Sequence, residues 1–137
     1  MTLLEPLFLT VDEVLELHDD QLRLFGGMAG VRDKAALESA AAMPCATFGG
    51  QFLHADTFEM AAACSFHIAE NQPFVDGNKR TALNATLVFL DLNGWTVQDP
   101  ECRLYDGMLA IASHELNKQG LAELLRELAC PRAPDEP

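Results

Sequence analysis

A chain of 137 residues, 49% of them hydrophobic and with a formal net charge of −12, is long enough for one packed core and too apolar for a disordered protein. Its acidic balance argues against a general nucleic-acid binder, which needs a basic face against phosphates, and no run of about 18 apolar residues offers a membrane span. Met1-Thr2-Leu3-Leu4-Glu5-Pro6 has no basic start and no long apolar stretch, so a cytoplasmic protein is expected, with no membrane and no nucleic acid as direct partner.

Leu7-Phe8-Leu9 reads as a short extended entry. Thr10 with Glu13 three residues on is a capping-box pattern, and Val11, Val14, Leu15, Leu17, Leu22 and Leu24 give the helix after it an apolar side. His18 lies inside that helix and fits a structural histidine held by a neighbouring carbonyl better than a catalytic one. Phe25-Gly26-Gly27-Met28-Ala29-Gly30 ends the helix. Asp33 can cap the next one, Lys34 to Ala42, which Pro44 stops. Residues 47–54 carry a Gly pair between aromatic residues and have no helical period.

Asp56 or Thr57 starts a helix running to about Glu70, whose small residues Ala61 to Ser65 allow close approach by a neighbour. The helix from about 78 to 93 is apolar almost all round beyond its first turn, so it is expected at the centre of the fold, with Gly94 closing it. Trp95-Thr96-Val97 is an extended exit. A helix is expected from about Cys102 to Asn117, weakened by Gly107, and a last one from Leu121 to Ala129. Residues 1–130 then form a single domain, and 131–137 a proline-rich, disordered tail. The four cysteines, Cys45, Cys64, Cys102 and Cys130, have no C-x-x-C spacing. Small buried thiols are expected rather than a zinc site or a disulfide framework.

The stretch Asn71-Gln72-Pro73-Phe74-Val75-Asp76-Gly77-Asn78-Lys79-Arg80 breaks the local pattern. Pro73 cannot continue a helix, and Gly77 allows a backbone turn that other residues resist. The helix that follows opens with two cations at its positive end, which is unfavourable unless an anion binds there. Free N–H groups at a helix start, a Gly and two bases compose a phosphate cradle. Asp76 beside it suits a divalent metal held in part by the phosphates. A plain helix–loop–helix turn with solvated charges is the alternative from residue types alone. His67, five residues before Gln72, attracts notice as a base, but it sits more than a turn before the chain reverses at Pro73 and need not face the cradle.

Residues 73–82, Pro-Phe-Val-Asp-Gly-Asn-Lys-Arg-Thr-Ala, resemble the active-site motif of the Fic/Doc family, His-x-Phe-x-Asp/Glu-Gly-Asn-Gly/Lys-Arg. Leu17-His18-Asp19, Phe25-Gly26-Gly27, Gly30-Val31-Arg32-Asp33, Leu37-Glu38-Ser39-Ala40 and Phe48-Gly49-Gly50 are similar to segments of the Doc (death-on-curing) branch in the same order. The resemblance spans roughly residues 7 to 125. It implies an all-α Fic-fold bundle with a flap near 47–54. It implies transfer of a phosphoryl group, or AMP, from ATP with Mg²⁺ to a hydroxyl of a protein, elongation factor Tu being the target known for the Doc branch. Asp76 would hold the metal, and Gly77, Asn78 and Lys79 would form the anion hole, helped by the Asn78 side chain. Arg80 would clamp a phosphate and Phe74 would anchor the loop. The family's catalytic histidine falls on Gln72, which cannot take up a proton at neutral pH although its amide can orient a hydroxyl. Impaired transfer is one consequence; a nucleotide-binding pseudoenzyme acting through protein contacts is the other. No Ser/Thr-x-x-x-Glu-Gly/Asn inhibitory motif is present, so restraint by a Phd-like antitoxin is implied.

Overall fold

The computed structural model describes residues 5–133; the first four residues, and the part of the expected tail at 134–137, lie outside the described residues. Six helices account for most of the chain: α1 (Val11–Phe25), α2 (Lys34–Ala42), α3 (Thr57–Asn71), α4 (Asn78–Leu92), α5 (Arg103–Ala112) and α6 (Lys118–Leu128). Two small antiparallel sheets complete the fold. Strands β1 (Thr47–Phe48) and β2 (Gln51–Phe52) form a hairpin within the expected flap, and β3 (Trp95–Val97) pairs with β4 (Ala129–Pro131). The mostly helical reading therefore holds.

Local chemistry sets the helix starts. Thr10 and Glu13 close a reciprocal capping box on α1. Asp33, Asp56 and Asn117 each cap their helices by accepting a backbone N–H three residues on. The core gathers around α3 and α4 together. Ala61, Ala62 and Ala63 are completely buried, and their small side chains let α2, α4, α5 and α6 all pack against α3. From α4, Ala82, Ala85, Phe89 and Leu90 enter the same core. The entry segment is tied down by Asn93, whose side chain bonds both the N–H and the carbonyl of Leu7. Phe8 bridges Phe89 and the flap residue Phe52, at 6.1 and 5.7 Å between ring centroids.

Three expectations need correction. The fifth helix ends at Ala112, not near Asn117. His114 takes a left-handed φ of 64°, and the N–H groups of Glu115 and Leu116 both turn back onto the Ala110 carbonyl. This reversal frees Asn117 to cap α6 and brings Leu116 against Gly107 and Gly120. Within the expected tail, residues 131 and 132 are held against β3 and the turn before it. Cys130 pairs with Thr96 and Pro131 with Trp95, and the Arg132 N–H donates to Gly94. Of the cysteines only Cys64 is buried, Cys45 and Cys102 being exposed. Burial pushes the Cys64 thiol up to about 12.

Candidate active site

The loop between α3 and α4 is built from inside outward. Phe74 is almost wholly buried, and its backbone N–H and carbonyl both bond the buried side chain of Asn78, at 2.9 and 3.0 Å. That pairing uses the oxygen and one N–H of the Asn78 amide to close the loop, while Asn78 also borders the cavity. Gly77, at φ 77°, takes the left-handed turn into α4. No side chain caps that helix, which leaves its first-turn N–H groups directed at the cavity mouth.

A second layer holds the loop from the side of α1. His18 is buried, stacks on Phe74 at 3.7 Å and 6° from parallel, and bonds the Asp76 carbonyl at 2.8 Å. The glycine-rich segment after α1 then zips onto the loop. The Val75 N–H donates to Gly30, and the N–H groups of Arg32 and Asp33 donate to Pro73. The Arg32 guanidinium caps the carbonyls of Asn71 and Gln72 at the end of α3. Asp76 accepts the Met28 N–H on one carboxylate oxygen and the Gly77 N–H on the other. Each oxygen keeps a further lone pair for a ligand.

Asp76, Gly77, Asn78, Lys79 and Arg80 meet in one cavity of about 380 Å³. Its opposite wall comes from the end of α1 and from α5, with Phe25, Gly27 and Tyr105. Arg80 is distinctive among the arginines. Arg23, Arg103, Arg126 and Arg132 pair with carboxylates, and Arg32 serves carbonyls. Among the described residues Arg80 has no acceptor; it lies over the rings of Phe25 and Tyr105, at 3.9 and 5.4 Å. An unpaired guanidinium, an uncapped helix start and a carboxylate around one space fit a metal–polyphosphate ligand. Among the described residues no group of three or more His, Cys, Asp or Glu side chains could hold a metal alone.

Gln72 opens the loop that Gly77 closes. It is the exposed residue that ends α3, with φ 50° and ψ 62°, and its side chain is not part of the cavity wall. His67 is also elsewhere. Burial, with the Lys118 ammonium second, holds its imidazole below the ordinary histidine range, and its Nε2 has no partner. His67 does not line the cavity. The wall from Phe25 and Tyr105 was not anticipated as functional: Phe25 ends a helix and Tyr105 lies 25 positions beyond Arg80, with no local motif to join them.

Comparison with known proteins agrees with this geometry. The Fic/DOC family model matches residues 8–90. The chain is 35% identical over 118 residues to the protein kinase doc of Escherichia phage P1, covering 85% of this chain and 91% of that protein. It is 44% identical over 70 residues to the toxin Doc of Mycolicibacterium smegmatis, covering 51% of this chain and 54% of that one. With its motif folded into the α3–α4 loop and matched over most of its length, this chain belongs to the Fic/DOC family.

Proposed function

We propose that the protein is a Doc-like toxin that transfers a phosphoryl group, or AMP, from ATP to a hydroxyl of a protein target, slowly because Gln72 stands at the base position. One observation carries this: Arg80 reaches no acceptor of its own while it borders the uncapped start of α4 and the Asp76 carboxylate. The similarity to the phage P1 protein kinase supports phosphoryl over AMP transfer.

Asp76 would hold Mg²⁺, which when bound neutralises phosphate charge. The α4 N–H groups, Lys79 and Arg80 bind the phosphates and favour the charge that develops on the transferring group. The new oxygen–phosphorus bond forms at the target hydroxyl as the bond to the leaving group breaks, ADP in phosphoryl transfer or pyrophosphate in AMP transfer, and the hydroxyl proton passes to solvent water. Gln72 can orient the hydroxyl but cannot take that proton. Positioning and charge stabilisation dominate phosphoryl transfer, so slow turnover survives the loss of a base that typically contributes ~10²–10⁴-fold. The protein target, with elongation factor Tu the first to try, and a Phd-like antitoxin docking an amphipathic helix near the site are the expected partners.

A second reading, a nucleotide-binding pseudoenzyme, is favoured by the absence of any histidine from the described walls of the cavity. Mass spectrometry of a bacterial lysate incubated with the protein and ATP separates the two. A phosphoryl or adenylyl adduct on a protein, lost in Asp76→Asn, supports the transferase. Nucleotide binding with no adduct supports the pseudoenzyme.

A further inference from the structure

Phe25 is the last residue of α1 and is 57% exposed. Its ring therefore contributes little to the core, yet it carries the Arg80 guanidinium at 3.9 Å, with Tyr105 at 5.4 Å from the same carbon. A cation over a ring is attracted through its face, whereas the five N–H donors of a guanidinium lie in its plane. Stacking thus fixes the group while leaving its donors free. A long, half-buried arginine would otherwise lose rotamer freedom on meeting an anion.

We infer that Phe25, with Tyr105 beside it, holds Arg80 ready for phosphate, which makes Phe25 a positioning residue for polyphosphate binding. The inference rests on the nucleotide reading of this cavity and adds to it a residue outside the motif. The sequence offers one supporting feature: Phe25 is followed at once by Gly26 and Gly27, so the ring sits where α1 stops and the chain turns under Asp76. A ring at this place could instead stack on the base of a nucleotide. The two roles differ in which part of the ligand they serve.

Calorimetric titrations of the full chain with tripolyphosphate and with ATP, both with Mg²⁺, distinguish them. Phe25→Leu keeps an apolar side chain and removes the ring face. It is expected to weaken tripolyphosphate and ATP alike, by roughly two- to thirtyfold, with a cooperative melting transition retained. Phe25→Trp should restore the affinity, and Phe25→Leu should add nothing to Arg80→Ala. The inference is overturned if Phe25→Leu leaves tripolyphosphate binding intact, if it weakens ATP alone, or if its effect persists in full without Arg80. If Arg80→Ala itself changes neither affinity, the nucleotide reading falls and the inference falls with it; a loss with Arg80→Ala but not with Phe25→Leu removes the inference alone.

Discussion

The Nε2–H of His18 donates to the main-chain carbonyl of Asp76 across 2.8 Å, although the two residues are 58 positions apart. That bond fixes the tautomer of a buried imidazole and sets the pitch of the loop that carries the carboxylate. Replacing His18 by Leu removes both the donor and the stacking on Phe74. Stability is expected to fall by about 1–3 kcal/mol, the scale of leaving a buried partner unsatisfied. Urea unfolding measures this, and an unchanged midpoint would show that the bond does not hold the loop.

Gly27 presses on the same carboxylate. A β-carbon there would lie 2.9 Å from Asp76 Oδ2 and 3.1 Å from Leu22, at a φ of 122° that side chains rarely adopt. Gly27→Ala should cost about 1–3 kcal/mol in backbone strain. It should also displace Asp76, so that Mg²⁺ ceases to strengthen ATP binding, as titrations with and without the ion would record.

A second polar region lies at the α3–α6 junction. His54 is buried with no partner for Nδ1, and burial, then the Lys118 ammonium, holds it below the ordinary histidine range, with Glu59 and the Met43 carbonyl opposing. His67 is lowered in the same direction by burial and Lys118, with Glu70 opposing and His54 adding to the shift. Both folded-state values lie below the unfolded value of about 6.5, so the unfolded chain takes up protons first. Stability should be level above about pH 6.5 and fall as pH drops through the folded values. Lys118→Gln should lessen the fall. A melting temperature that rises on acidification would reverse the sign and refute the account.

Much of the fold was legible because its signals are local. Thr10 with Glu13, Asp33, Asp56 and Gly94 mark helix ends by chemistry within a turn, and the 73–82 motif marked the cavity floor. The rest depended on partners distant in sequence. The pairing of Cys130 with Thr96 needs two segments that say nothing of each other. Asn78 reads as a ligand residue, and only the closed loop shows that its amide also ties down the Phe74 backbone.

Gln72 ends α3 in a left-handed conformation that histidine enters more readily than most residues. Gln72→His should therefore fold normally and restore a base at the family's position. Target modification should rise by up to ~10²–10⁴-fold, with the gain appearing above about pH 6.5 as the imidazole becomes neutral. Labelled ATP and a lysate provide the assay. Equal rates for both forms would mean that Gln72 is not what limits transfer.

The most direct test of the cavity as a nucleotide site is calorimetric titration of Mg²⁺·ATP into the wild-type chain and Arg80→Ala. The side chain makes no ion pair among the described residues, so its removal should leave the melting temperature nearly unchanged. Binding should weaken by about 1.5–3 kcal/mol, as expected for a hydrogen bond to a charged group. Equal affinity in the two proteins would contradict the account.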